Sequence, residues 1–244
     1  MIKKVEGIVL TETAYGDNSK IINLLTPEYG MIGIMCKGVK SLRNPLRTKT
    51  ERFTYAYYHI DYKDNKLSKL IDVDIIDNFK NIRNDIELIS YATYITELTY
   101  QIFKQSSDSN IYELYKSSLL KINSNLNPLI ITNILELKYL DYLGVGLNLY
   151  GCIKCGNKQN IATIDPDAGG YICTNCLTNQ RILNKKTIIM LRRYYLIDIN
   201  SISKINISED IVEEINYFIN KYYERYTGLY LKSKDFLNSI NKLK

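Results

Sequence analysis

Four of the chain's five cysteines fall within residues 152–176, as two Cys-x-x-Cys knuckles, Cys152/Cys155 and Cys173/Cys176. Seventeen residues separate the knuckles, inside the spacing window of a four-thiolate zinc site. Zn²⁺ prefers a tetrahedron of soft ligands, and a two-residue gap lets one tight turn aim two sulfurs at one ion. Turn formers flank both knuckles, Gly151 and Gly156 at the first and Asn175 at the second. Between them, Asp165-Pro166-Asp167 and Gly169-Gly170 are turn signals, so this strip is expected to fold back as a short hairpin and bring the knuckles together. Four thiolates close the coordination sphere and leave no position for a reacting water, so the expected zinc is structural. Two disulfides would need an oxidising compartment. A redox Cys-x-x-Cys would open a helix after a strand; two paired knuckles do not fit that pattern. Cys36, at the end of an apolar run, reads as a buried free thiol.

The pattern elsewhere changes period once. Up to about residue 80 it is strand-like: runs over 5–13, 21–25, 31–36, 53–62 and 67–76 carry β-formers and partial alternation, separated by Asp-Asn-Ser, Pro, Tyr-Gly and Asp-Asn turn signals. Five short strands in so few residues suggest a small barrel that closes its own edges. Beyond residue 82, apolar residues recur at helical spacing over 85–105, 111–122, from Pro128 to about 143, 184–196 and 209–226. Pro128 suits a first helical turn, Ser208 an N-cap and Ser233 the cap of a short last helix. The expected class is α+β: a five-stranded barrel over 1–80 and a helical domain over 81–244, with the cysteine module inserted at 148–182.

Composition narrows function modestly. The net charge is +6, which permits an anionic partner without requiring one. The chain holds 22 Tyr against five Phe and no Trp. Ile, Asn and Lys are abundant too, and all four share A/T-rich codons, so the tyrosines are poor evidence for base stacking. The opening MIKKVEGIVLTET has no apolar core of signal-peptide length, and no stretch approaches the ~18 apolar residues of a membrane span. With reduced cysteines, this leads to an expectation of a cytoplasmic protein and no membrane partner.

Charge is concentrated in one place. The connection between the third and fourth strands, 37–52, carries Lys37, Lys40, Arg43, Arg47, Lys49 and Arg52 against one acid, Glu51. Such a loop beside aromatic strands is a common way to hold nucleic acid, cations meeting phosphates and rings meeting bases. A solvated loop has the same composition. Tyr55, Tyr57, Tyr58 and Tyr62 occupy both faces of their strand, so some must be core. Arg192-Arg193, on a predicted helix, could meet phosphate or the acidic tail of a partner. The one histidine, His59, sits in an apolar-aromatic run and reads as a half-buried strand residue. No P-loop, GxGxxG, Ser-His-Asp set or HExxH is present, and no paired-carboxylate motif stands out, so an enzyme is not expected.

The order barrel, helices, cysteine module, helices joins a particular opening text: GIVL at 7–10, Tyr15-Gly16-Asp17-Asn18-Ser19-Lys20, LLT at 24–26 before Tyr29-Gly30, and Lys37-Gly38-Val39-Lys40-Ser41. Together these resemble the RecO family of bacterial recombination mediators, along the whole chain. Where that family often has two acids after the Tyr-Gly, this chain keeps only Asp17. The resemblance implies an OB-fold barrel, a helical second domain and a zinc module. It also implies binding of single- and double-stranded DNA, annealing of complementary strands, and partnership with RecR and with the acidic C-terminal tail of single-strand binding protein. Together these help load RecA at the nucleoid. Lys20 then joins the six loop cations as a candidate DNA-binding residue. The alternative is a zinc-stabilised protein-interaction scaffold with no DNA affinity of its own.

Overall fold

The computed structural model describes residues 1–241. They form two compact units, Met1–Ser124 together with the stretch from Ser233, and Asn125–Lys232.

The first unit is built on a closed barrel: β1 (Ile2–Tyr15), β2 (Ser19–Thr26), β3 (Gly30–Cys36), β4 (Tyr55–Asp61) and β5 (Ser68–Asp77), ordered β1-β2-β3-β5-β4 with β4 returning to β1. All pairings are antiparallel except β3 with β5, where Ile34 faces Ser68 and Met35 faces Lys69. This is the topology expected of an OB barrel. Each predicted strand is present, several of them longer than its apolar run. Inward positions alternate along the strands as the pleat requires. Val5, Val9, Ile22, Leu24, Ile34, Cys36, Ala56, Tyr58, Ile60 and Val73 make the core, none more than 2% exposed. The Cys36 thiol is pushed up to about 12 by burial, as suits an inert core sulfur. Tyr58 is the tyrosine of the aromatic strand that turns fully inward. Tyr57 faces out, Tyr62 packs its ring 4.9 Å from that of Tyr29, and Tyr55 donates to Glu6. His59 is half-buried on β4, its Nε2 2.8 Å from Asp74 Oδ2.

Three helices follow the barrel within this unit: α2 (Lys80–Asn84), α3 (Ile86–Gln105) and α4 (Asn110–Asn123), after a single-turn α1 (Leu46–Lys49) in the β3–β4 connection. Asp85 caps α3 by accepting from the amides of Glu87 and Leu88. The last helix, α8 (Lys232–Asn241), starts one residue before the expected Ser233 cap, and the Ser233 amide instead donates to Glu97. Helix and barrel meet at Glu6, whose Oε1 accepts from Tyr55 at 2.7 Å and from the fully buried Tyr112 at 2.9 Å. Lys116 stands 3.7 Å away.

The second unit holds α5 (Pro128–Tyr142), a three-stranded sheet of β6 (Asn148–Cys152), β7 (Ile161–Asp165) and β8 (Gly170–Cys173), then α6 (Lys185–Leu196) and α7 (Glu209–Tyr226). Pro128 takes the first turn of α5, and Asn127 accepts from the Ile130 amide. Asn184 caps α6 through the Lys186 amide. Ser208 occupies the N-cap of α7 with extended backbone, but its side chain makes no cap bond to a helix amide. Its hydroxyl turns to the Asp210 carboxylate, which that bond holds below its ordinary value. The three helices pack on one another, and Tyr223 of α7 donates to the Glu136 carbonyl of α5 at 2.7 Å.

Tyr112→Phe removes one of two hydroxyls from a partly buried acceptor and leaves the other in place. The expected cost is about 1 kcal/mol. Glu6→Ala, which orphans both hydroxyls, is expected to cost about 2 kcal/mol or more. Urea unfolding of the two variants should rank them in that order with unchanged slope.

Candidate nucleic-acid interface and metal centre

The β3–β4 connection has to cross one mouth of the barrel, and it is tied down at both ends. At its start the Gly38 amide donates to Ser19 Oγ at 3.2 Å and the Lys40 amide to the Asn18 carbonyl at 3.0 Å, both at the tip of the β1–β2 hairpin. In its middle, Asn44 accepts from the Leu46 amide and starts α1. Leu46 and Val39 drop onto the barrel core, and Thr50 is buried, its hydroxyl bonded to the Leu46 carbonyl at 2.8 Å. At its end, Arg83 of α2 reaches Glu51 at 3.2 Å, the Arg52 carbonyl at 2.7 Å and Thr54 Oγ1 at 3.3 Å. Hydrophobic anchors therefore hold the connection down while its long cationic side chains stay in water.

The result is a cleft of about 510 Å³. Its cations are Lys20, Lys40, Arg47, Arg52 and Arg83, and its acids Glu12 and Glu51. Both acids are spoken for. Lys20, only 7% exposed, lies 2.6 Å from Glu12, and Arg83 holds Glu51. Lys40, Arg47 and Arg52 are exposed and, among the described residues, have no acid within ion-pair distance. Lys37 and Arg43 are exposed on the same connection. Lys49 bends inward, its amine donating to the Val73 carbonyl of β5 at 2.8 Å. Of the candidate DNA-binding cations, Lys37, Lys40, Arg43, Arg47 and Arg52 are thus exposed without an acidic partner among the described residues, Lys40 also donating to the Gly16 carbonyl at 3.4 Å, while Lys20 is neutralised by Glu12 and Lys49 is turned inward. Sequence reasoning missed Glu12 and Arg83. Glu12 meets Lys20 only through the β1–β2 register, and Arg83 meets the connection only through the helix after the barrel, so no local spacing signals either.

The cysteine knuckles converge. Sγ atoms of Cys152, Cys155, Cys173 and Cys176 all lie within 4.8 Å of one another, with Cys155 and Cys173 3.6 Å apart. A tetrahedron with metal–sulfur bonds of about 2.3 Å has edges of about 3.8 Å, so the four sulfurs already stand near ligand spacing. The turn at the first knuckle is tight: the Gly156 amide donates to the Cys152 carbonyl at 2.7 Å, with Gly156 at φ +74°. A side chain at Gly151 would meet the Gly156 carbonyl oxygen at 2.7 Å, so both glycines are needed. Burial opposes a thiolate at Cys152, but backbone amides of Cys173, Cys155 and Lys154 overcome it and hold the thiol down at about 6. Cys176 is pushed up to about 12, first by its hydrogen bond with Cys155 and then by burial. Four sulfurs this close can all ionise only around a cation. The donor set is all thiolate and closed, which fits a structural metal.

The helical candidates Arg192 and Arg193 lie together on exposed turns of α6. They border a groove of about 540 Å³ whose apolar walls include Tyr171 of β8 and Ile188, Ile189 and Leu196 of α6. Among the described residues, no helix is long and apolar enough to cross a membrane.

A closed five-stranded barrel with a basic mouth, followed by helices carrying a four-cysteine metal module, defines a class of nucleic-acid-handling protein. Comparison with known proteins makes this specific. Residues 1–79 match the family model "Recombination protein O N terminal" and residues 83–235 match "Recombination protein O C terminal". The DNA repair protein RecO of Bacillus subtilis (strain 168) is 32% identical over 248 residues, covering 100% of this chain and 97% of that protein. Those of Bacillus pumilus (strain SAFR-032), at 32%, and Listeria monocytogenes serotype 4b (strain CLIP80459), at 31%, each align over 96% of their length. The chain belongs to the RecO family of DNA repair proteins.

Freshly purified, reduced protein is expected to carry one divalent ion per chain by elemental analysis. Cys152→Ser or Cys173→Ser should abolish that stoichiometry and lower the melting temperature, whereas Cys36→Ser should leave the metal in place.

Proposed function

We propose that the protein is a recombination mediator that grips single- and double-stranded DNA by the backbone at the barrel mouth and anneals complementary strands. The observation that carries this reading is the trio Lys40, Arg47 and Arg52, exposed, unopposed by acid and set on an anchored connection, with Lys37 and Arg43 beside them. Neutralising phosphates on two strands at once lowers their mutual repulsion, and released counterions supply much of the affinity. Because the grip is on phosphate, base edges stay free to pair. Lys20, paired with Glu12, and Lys49, turned inward to the Val73 carbonyl, shape the surface rather than bind. The work is done by binding and charge neutralisation, without catalysis on the DNA.

The partners follow from the family. RecR and the acidic C-terminal tail of single-strand binding protein complete the machinery that loads RecA on coated DNA, in the cytoplasm at the nucleoid. The α6 groove suits the tail, since Arg192 and Arg193 would meet its carboxylates and the apolar wall its hydrophobic residues. The ion in the cysteine cluster is read as zinc, one per chain, because four thiolates in a tetrahedron are the ligand set Zn²⁺ prefers.

The test is annealing of complementary strands coated with cognate single-strand binding protein, across a salt series and without ATP. Acceleration that falls steeply with salt is expected. Changing Lys40, Arg43 and Arg47 together to Glu should remove the acceleration. Changing the same three to Gln should flatten the log–log salt dependence of single-strand affinity by about 0.7 for each phosphate no longer neutralised. Wild-type annealing and affinity in the folded charge-reversal variant would put the DNA site elsewhere than the connection, whereas no acceleration by the folded, metal-loaded wild type would point instead to a zinc-stabilised scaffold with no DNA affinity of its own.

A further inference from the structure

The cysteine module and the α6 groove share a residue. Tyr171 lies in β8, two positions before the ligand Cys173, and its strand partner across the parallel β6–β8 pair is Cys152. The Tyr171 carbonyl accepts from the Ile153 amide at 2.9 Å, inside the first knuckle, and Ile164 of β7 pairs with Tyr171 on its other side. The sulfurs at both ends of this small network belong to the metal cluster. Tyr171 is 6% exposed and lines the groove together with Ile188 and Arg192 of α6.

Three strands of four or five residues make too small a sheet to persist by pairing alone. Here β7 packs on α6, while the ends of β6 and β8 are joined through the cysteine cluster, where a bound ion would add folding free energy. Release of the ion would loosen β6 and β8 together, and with them the backbone that aims Tyr171 at α6. The helix has its own cap and packs on α5 and α7, so it would stay in place while the Tyr171 side of the groove was lost. The basic cleft lies in the other compact unit, and none of its lining residues belongs to the module.

We infer that the metal cluster builds the partner-docking groove: with the ion bound, Tyr171 completes a site on α6 for an acidic peptide bearing large apolar side chains, and without it the groove loses that affinity while the DNA cleft keeps its own. This rests on the reading of the α6 groove as the docking site of the acidic tail. Charge selects the occupant. α6 carries Lys185, Lys186, Arg192 and Arg193 and no acid. Arg192 and Arg193 have no acidic partner among the described residues, and Ile189 and Leu196, 50% and 64% exposed, offer apolar surface beside them.

The experiment measures two affinities on one full-length preparation by fluorescence anisotropy. The probes are a labelled peptide copying the tail of the cognate single-strand binding protein and a labelled oligo-dT, each titrated before and after removal of the ion by a chelator. Peptide affinity is expected to fall by about tenfold or more on metal removal and to return with added Zn²⁺, while oligo-dT affinity stays unchanged. A zinc-loaded Tyr171→Ala variant, which keeps all four ligands, should lose the peptide to a similar extent, and Tyr171→Phe should keep it. Absence of peptide binding to the metal-loaded wild type would overturn the docking reading and the inference with it. Equal peptide affinity with and without the ion, or in Tyr171→Ala, would overturn the inference alone. Displacement of the peptide by oligo-dT from protein with Lys40, Arg47 and Arg52 changed to Gln would assign the groove to nucleic acid instead and overturn it as well.

Discussion

Closure of the barrel through the short parallel pairing of β3 with β5 is the constraint from which the basic surface follows. Two residue pairs, Ile34 with Ser68 and Met35 with Lys69, join these strands. Once they meet, β3 and β4 are no longer neighbours, so the chain leaving Cys36 must cross the open mouth to begin β4. A crossing of that kind has an apolar hole beneath it and water above. Leu46, Val39 and Thr50 take the inner positions, and Lys37, Lys40, Arg43, Arg47 and Arg52 are left outside. The basic surface is thus a consequence of plugging a barrel with an amphipathic connection.

Electrostatics then divide the cations by depth. The two nearest the protein interior, Lys20 and Arg83, each hold a carboxylate, because a charge withdrawn from water needs a partner. Those at the rim need none, being solvated, and remain available to phosphate. Glu12 and Glu51 therefore sit inside a cationic cleft without cancelling its outer field. Arg83 has a second role: by holding the Arg52 carbonyl and Thr54 it fixes the end of the connection to the helix after the barrel.

In the second unit the convergence is of four cysteines rather than of cations and acids. A sheet of three very short strands has four cysteine sulfurs gathered at its ends, and Tyr171 of that sheet lines the groove beside α6. The helices around it are capped by Asn127 and Asn184 and joined by tyrosine hydroxyls donating to carbonyls of neighbouring elements, as Tyr223 does to Glu136 and Tyr222 to Val145, and α5 buries Thr132, Asn133 and Glu136 among its apolar residues.

By itself the sequence determined the elements and the cysteines that converge. Alternation located five strands, helical spacing located the long helices, and two Cys-x-x-Cys pairs with Asp-Pro-Asp and Gly-Gly between them specified a hairpin carrying four sulfurs, because these signals act over a few residues. The family was legible for the same reason, in a contiguous opening text. Short α1 and α2 left no periodic trace, and Ser208 takes the N-cap position it was read for, though its hydroxyl bonds Asp210 rather than a helix amide. What only the tertiary structure decided was partnership across distance. It set which helices share a unit with the barrel, that Lys20 is neutralised by Glu12 and Lys49 drawn to Val73, that Arg83 belongs to the cleft, and that Tyr171 faces α6. Those outcomes depend on strand register and packing, where a single residue of shift reverses which side chain is buried, and no local pattern in the chain encodes them.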